Sequence, residues 1–190
     1  MRLCAWEALP AEMRTAAVRH YYDILQKKRA GLFWKRAFDI FASAVMLLLL
    51  SPLFLILAAA IKLDSPGPVF YRQERVTQYN RHFRIFKFRS MVQNADRGSL
   101  VTVSGDSRVT RVGRIIRRFR LDEVSQLLNV FVGDMTFVGT RPEVPKYTAA
   151  YTDEMMATLL LPAGVTSLAS IYYKDEAELL DAAADTDKTY

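Results

Sequence analysis

The sequence is poor in the residues that staple or metallate small domains. It has one cysteine, Cys4, and two histidines, His20 and His82. An intramolecular disulfide framework is excluded, and soft ligands are too few for a zinc cluster. No Walker loop, GxGxxG fingerprint or nucleophile elbow occurs, and there is no internal repeat or low-complexity tract. What remains is a chain of 190 residues, 51% hydrophobic, 24% charged and 12% aromatic, with a net charge of +6. That length and composition fit one folded domain, or a small domain plus an appendage. They exclude a disordered tail, a collagenous repeat and a polytopic transporter. A pI near 9.5 calls for an anionic partner: nucleic acid, lipid head groups or a phosphorylated substrate.

The charge is sharply segregated. Residues 1–65 hold nine Lys/Arg against five Asp/Glu, residues 66–120 thirteen against three, and residues 121–190 four against twelve. The basic excess therefore sits in one central segment, directly after a long apolar run.

Residues 40–61 (IFASAVMLLLLSPLFLILAAAI) carry no charge over 22 positions. As a helix this run would be ~33 Å long, about the thickness of a hydrocarbon core. The ordinary alternative is a buried core helix, but small domains seldom hide a helix that is apolar all round. Ser51 and Pro52 fall at its middle, where proline removes a helical hydrogen bond and clashes with the carbonyl four residues back. The Ser51 hydroxyl is placed to satisfy a freed backbone group. Both flanks are basic: Lys27, Lys28, Arg29, Lys35 and Arg36 before, Lys62, Arg72 and Arg75 after. The positive-inside bias would keep both ends in the cytoplasm. A helix that enters, bends at Ser51-Pro52 and returns to the same face satisfies both observations; a plain span with a tolerated kink is the alternative.

Residues 1–37 read as a polar helical lead-in, with Pro10 and Glu12 at a helix start and Met13, Ala16, Ala17, Tyr21 and Ile24 at helical spacing. After the turn cluster DSPGP at 64–68, two β-prone stretches, 69–76 and 82–91, predict a hairpin around 77–81. Alternation in the second stretch puts Phe83, Ile85, Lys87 and Arg89 on one face. Residues 95–107 read as a loop. From Arg108 the period is helical, with an apolar stripe (Val109, Val112, Ile116, Phe119) and a basic one (Arg108, Arg111, Arg114, Arg118). That pattern suits a helix among anionic head groups; an ordinary surface helix is the alternative. A second helical pattern over 121–131 places Leu121, Val124, Leu127, Leu128 and Phe131 inside, and Asp122, Gln126 and Asn129 outside.

Asp122 and Glu123 follow immediately on Arg114, Arg117, Arg118 and Arg120. Adjacent helical carboxylates point ~100° apart, so one can act on substrate while the other binds a hard cation such as Mg²⁺. Near several arginines both are expected to stay ionised, and an ionised carboxylate among arginines suits attack on phosphorus. An i to i+4 ion pair, Arg118 to Asp122, is the plainer reading of the same spacing. Lys87 and Arg89 on one strand face could bind phosphate or head groups, and Arg141-Pro142 fixes a guanidinium on a stiff loop. The basic segment lacks a recognisable nucleic-acid reading module, so nucleic acid is not the expected partner and stays only as an alternative.

Taken together, the motifs resemble the bacterial sugar transferase family, the monotopic phosphoglycosyl transferases that act on polyprenyl phosphate. They are KRAFDI at 35–40, the apolar run broken at Ser51-Pro52, DSPGPVFYRQER at 64–75 and KFRSM at 87–91. RLDEVSQLLNV at 120–130, GDM at 133–135, VGTRP at 138–142 and PAGVT at 162–166 follow in unbroken order. The resemblance implies an α+β membrane-associated fold: a re-entrant membrane helix over 35–63, interfacial amphipathic helices and a small β-hairpin. Residues 1–34 would form a helical extension and 64–190 a catalytic domain on the cytoplasmic face of the bacterial inner membrane. It implies transfer of a phospho-sugar from a UDP-sugar to undecaprenyl phosphate with release of UMP, at the first membrane step of glycoconjugate synthesis. By resemblance Asp122 is the nucleophile and Glu123 helps hold Mg²⁺, while Lys87, Arg117 and Arg141 match cationic positions near the site. A non-catalytic, lipid-binding anchor is the alternative from another class.

Three departures from the family pattern stand out. Thr77 occupies a position where glycine is usual, so a different hairpin turn is expected. Thr140-Arg141-Pro142 stands where Pro-Arg-Pro is frequent. Ser167 and Lys174 stand where many members have glycine and arginine, and lysine lacks the bidentate fork of arginine. Many members also continue with further helices past the position of Tyr190.

Overall fold

The apolar run does not form one helix. In the computed structural model of the chain, which describes residues 1, 3–93, 95, 106–167 and 171–172, helix α2 (Arg29–Leu49) stops at Leu50. Helix α3 (Ser51–Asp64) sets off at 61° to it. Pro52 lies in the first turn of α3, where its missing N–H removes no helical bond. A new helix thus replaces the kink. The Ser51 hydroxyl donates to the Leu48 carbonyl at 2.8 Å, as expected. Among the described residues no single helix is long and apolar enough to cross a membrane; the two arms reach that criterion only together. The boundary expected between residues 34 and 35 falls inside α2.

The amino-terminal segment folds back on the rest. Two short 3₁₀ turns, Trp6–Ala8 and Ala11–Met13, precede α1 (Ala16–Lys27). Thr15 caps α1 by accepting the Val18 N–H at 3.4 Å. Met13, Val18 and Tyr22 are buried, whereas Tyr21 and Ile24 are each 40% exposed. The helix begins at Ala16 rather than near Pro10, and the non-helical Arg14 resets the phase assumed from the sequence.

The expected hairpin is present. Strands β1 (Phe70–Thr77) and β2 (Arg81–Phe88) pair antiparallel, with Phe70 opposite Phe88 and Thr77 opposite Arg81. The left-handed positions of the turn are Tyr79 and Asn80, at φ 60° and 56°. Thr77 is extended, at φ −135°, so no glycine is required there. Its hydroxyl donates to the Asp134 carbonyl at 2.6 Å and accepts the Ala163 N–H at 3.2 Å. A second pair, unforeseen from the sequence, is parallel: β3 (Met135–Val138) lies beside β4 (Ala163–Thr166). Gly139, just past β3, meets Gly164 of β4 backbone to backbone; a Cβ on Gly164 would lie 2.2 Å from the Gly139 nitrogen. The short α6 (Pro145–Thr148) follows the loop bearing Arg141.

Helix α4 covers Arg111–Arg118, with the Thr110 hydroxyl accepting the Gly113 N–H at 2.9 Å. The expected start at Arg108 is corrected. That residue chelates Asp106 at 2.6 Å, and this bonding holds Asp106 down at about 2. A 3₁₀ segment, Leu121–Gln126, then leads into α5 (Leu127–Val132). Its expected faces are partly reversed: Gln126 and Asn129 are buried and Phe131 is exposed.

Three apolar clusters hold these pieces together. Leu57 and Ile61 of α3 pack with Phe88 and Ile116, so one side of the second apolar arm rests on the hairpin and α4. Phe83 and Ile85 pack with Val130 and Met135. Leu9, Met13, Val18 and Tyr22 enclose Val76, Leu159 and Leu160. Each buried side chain of this size contributes ~1.5–3 kcal/mol.

Polar clasps fix both arms of the bent pair. Arg36 donates to the Val130 and Phe131 carbonyls at 2.6 and 2.9 Å, meeting the unpaired carbonyls at the end of α5. Buried Asp39 accepts from the Thr136 hydroxyl at 2.7 Å, and Lys35 donates to the same hydroxyl. At the far end, Asp64 accepts the Val112 N–H at 2.9 Å, adding a second cap to α4. The architecture is thus mixed α and β, with two two-stranded sheets among the described residues.

Candidate active site

Among the described residues the outer edge of β2 has no third strand. Side chains take its place: Asn129 Oδ1 accepts the Phe86 N–H at 2.8 Å, Asn129 Nδ2 donates to the Arg84 carbonyl at 3.3 Å, and the Ser125 hydroxyl lies 3.0 Å from the Phe86 carbonyl. Ser125 and Asn129 are fully buried, so these bonds are shielded from water. They dock the 3₁₀ segment on the strand immediately before Lys87. Lys87 Nζ consequently stands 3.7 Å from Glu123 Oε1.

Arg120 makes the turn that delivers the carboxylates. It is left-handed, at φ 52° and ψ 29°, so the axis of α4 is broken before Asp122. Arg118 and Asp122 no longer share one helical face, and no salt bridge joins them among the described residues. Successive side chains on a 3₁₀ helix diverge by ~120°, which separates Asp122 from Glu123 as the sequence suggested.

Burial is the largest influence on Asp122 and raises its pKa; Lys87 and Arg117 pull it down, and Glu123 pushes it up. The cations therefore oppose the burial rather than dominate the carboxylate. Burial lowers the pKa of Lys87, with Arg75 and Arg141 acting in the same direction and Glu123 and Asp122 opposing. The result is a half-buried carboxylate pair facing one ammonium, with three guanidinium groups within electrostatic reach of that cluster.

Asp122, Glu123, Lys87, Arg117 and Arg141 are thus brought together. Arg89 is not among them. β2 ends at Phe88, alternation lapses, and the Arg89 guanidinium turns to the end of α3. It donates to the Ser65 and Pro66 carbonyls at 2.7 and 2.6 Å and to Ile61 at 3.4 Å. Ser51 and Pro52 mark the bend, and Lys174 lies outside the described residues. Arg75 was read from the sequence as a basic flank of the apolar run and as part of a motif, not as a site residue. In the β1–β2 register it shares the Lys87 face, and it donates to the Pro142 carbonyl at 3.2 Å and to Gln73 Oε1 at 2.8 Å.

No group of three acidic, His or Cys ligands gathers among the described residues. Two adjacent carboxylates are instead a hard-oxygen donor set that fits magnesium, which takes one or two carboxylates and fills its shell with water and phosphate oxygens. Acid and base groups of this kind, ringed by cations, are suited to neutralising phosphate oxygens.

The chain belongs to the bacterial sugar transferase family, whose model matches residues 30–190. It is 42% identical over 161 residues to the UDP-N-acetylgalactosamine-undecaprenyl-phosphate N-acetylgalactosaminephosphotransferase of Aeromonas hydrophila, covering 83% of this chain and 36% of the relative. It is 44% identical over 145 residues to the undecaprenyl-phosphate glucose phosphotransferase of Komagataeibacter xylinus, covering 72% of this chain and 27% of the relative. A Bacillus subtilis protein named as a putative undecaprenyl-phosphate N-acetylgalactosaminyl 1-phosphate transferase is 38% identical over 137 residues, 72% of this chain and 76% of that protein. The chain thus spans about a third of the length of the first two relatives.

Proposed function

We propose that the protein transfers a phospho-sugar from a UDP-sugar to a polyprenyl phosphate such as undecaprenyl phosphate, releasing UMP. The observation that carries this reading is the Asp122–Glu123 pair held against Lys87, with Arg117 and Arg141 in electrostatic reach. In the first step an Asp122 carboxylate oxygen bonds to the sugar-bearing phosphorus. The bond from that phosphorus to the bridging oxygen breaks, and UMP leaves with the electron pair. In the second step a phosphate oxygen of the polyprenyl acceptor attacks the same phosphorus and the Asp122 carboxylate is regenerated. Lys87, Arg117 and Arg141 offset the negative charge of the diphosphate. Glu123, with Asp122 beside it, would hold Mg²⁺, which supplies charge neutralisation on the phosphate oxygens.

The bent helix pair supports a monotopic arrangement on the cytoplasmic face of the bacterial inner membrane, with the apolar arms entering and returning. Phe33, Trp34, Phe41, Leu48, Leu49, Leu55 and Ile56 are exposed on it. Ile115 and Phe119 are exposed beside Arg111, Arg114 and Arg118, a combination suited to anionic head groups.

The test uses the protein in nanodiscs with undecaprenyl phosphate, Mg²⁺ and a panel of UDP-sugars, with UMP release as the readout. Asp122→Asn is expected to abolish release; release at the parental rate would remove Asp122 as nucleophile. In a Cys4→Ser background, single cysteines at residues 28 and 65 are expected to label from the same side. Labelling from opposite sides would overturn the re-entrant arrangement.

A further inference from the structure

Residues 75–79 are consecutive, yet together they reach several separate parts of the fold. Arg75 donates to the Pro142 carbonyl at 3.2 Å, and the Val76 N–H donates to the Glu143 carbonyl at 2.8 Å. Thr77 joins Asp134 to Ala163, and Gln78 Nε2 donates to the Leu160 carbonyl at 2.9 Å. The Tyr79 hydroxyl accepts the Cys4 N–H at 3.0 Å. One strand end therefore links the neighbours of Arg141, both strands of the second sheet, and the amino-terminal segment.

Tyr79 is the unusual member. Its backbone is left-handed, at φ 60° and ψ 36°, a conformation disfavoured for a bulky L side chain and tolerated by asparagine. Such a residue persists where its surroundings over-determine it. Here the surroundings are the cluster of Leu9, Met13, Val18 and Tyr22, against which the Tyr79 ring packs. The Tyr22 hydroxyl donates to the Cys4 carbonyl at 2.7 Å, so both backbone groups of Cys4 are bound by tyrosine hydroxyls. Asn80 Nδ2 reaches Glu12 at 3.1 Å. The amino-terminal half of this clasp precedes residue 30, where the family match starts. It is built by this chain's own leading residues.

We propose that Tyr79 is a positioning residue: by docking residues 3–25 on the hairpin turn, it fixes the loop that carries Arg141 in place for the donor diphosphate. The role toward the donor rests on the phospho-sugar transfer proposed above; the docking does not. The variant Tyr79→Asn keeps a residue suited to the turn and removes the anchor. In the full chain in nanodiscs, amide hydrogen exchange in α1 and in residues 139–144 is expected to accelerate about tenfold or more. KM for the UDP-sugar is expected to rise roughly tenfold while kcat stays within about twofold, because an orienting cation is displaced and the reacting groups are not. Tyr79→Phe retains the ring and is expected to stay within about twofold of the parent in exchange and in KM.

Unchanged exchange in Tyr79→Asn would overturn the proposal, as would faster exchange in α1 with residues 139–144 and KM unaffected. If Tyr79→Asn loses cooperative unfolding, Leu9→Ala thins the same core from the other side and is expected to give the same pattern. Absence of UMP release from the parent with every UDP-sugar would instead defeat the transfer reading. Exchange at residues 139–144 would still decide whether the clasp holds the loop.

Discussion

Lys87 Nζ and Glu123 Oε1 are 3.7 Å apart, longer than a direct hydrogen bond. The ammonium is therefore not committed to one partner, and its charge acts on Asp122 as well as on Glu123. Burial raises Asp122, Lys87 restrains that rise, and Glu123 adds to it. In the transfer proposed above Asp122 acts as a carboxylate nucleophile, which works only above its pKa, so the acidic limb of a kcat/KM profile is expected to report on this balance. Lys87→Met removes the largest of the charges that oppose the burial and is expected to move the limb to higher pH. Glu123→Gln removes a neighbouring negative charge and is expected to move it lower, whatever its effect on the maximal rate. Both variants shifting the limb in the same direction would contradict this arrangement.

Arg89 holds the carboxyl end of α3 rather than a ligand. Arg89→Met strips three carbonyls of a charged donor and is expected to cost about 2–4 kcal/mol of unfolding free energy. Donor KM measured per folded molecule is expected to stay unchanged. A rise in KM without loss of stability would instead place the guanidinium on substrate.

The left-handed Arg120 sets the direction of the segment that carries Asp122. Arg120→Ile is expected to destabilise by about 1–2 kcal/mol more than Arg120→Asn, since a β-branched side chain is strained at positive φ and asparagine is not. Chemical denaturation of the two variants side by side measures the difference.

Two glycines should respond oppositely to alanine. A Cβ on Gly164 would meet the Gly139 backbone at 2.2 Å, so Gly164→Ala must part the two backbone segments and is expected to cost about 1–3 kcal/mol. Gly31 is exposed in α2 with nothing within 4 Å of its added Cβ. Gly31→Ala is expected to stabilise by about 0.5–1 kcal/mol. Thermal unfolding of both variants checks the pair of signs.

The bend and the hairpin were legible because each follows from a local rule: proline interrupts a helix, and alternation of apolar and polar residues makes a half-buried strand. The adjacency of Asp122 and Glu123 was legible for the same reason. Asn129 and Ser125 were not, because period alone assigns polar residues to the outside. Their burial comes from an unpaired strand edge contributed by residues about forty positions earlier. Arg89 was misplaced because alternation was carried one residue beyond the end of β2. Arg108 was misplaced because helical spacing does not reveal that Thr110 is the cap. The parallel β3–β4 pair leaves only two glycines as its trace, and these acquire meaning once their backbones touch.

The clasps on the bent pair also imply an order of synthesis. Arg36 finds the Val130 carbonyl 94 residues later in the chain, and Asp39 finds Thr136 after 97. Translation proceeds from the amino terminus, so both apolar arms are complete before the groups that lock them exist. The arms must be accommodated elsewhere in the meantime, and the hairpin and the segments after it then assemble on a helix pair already formed.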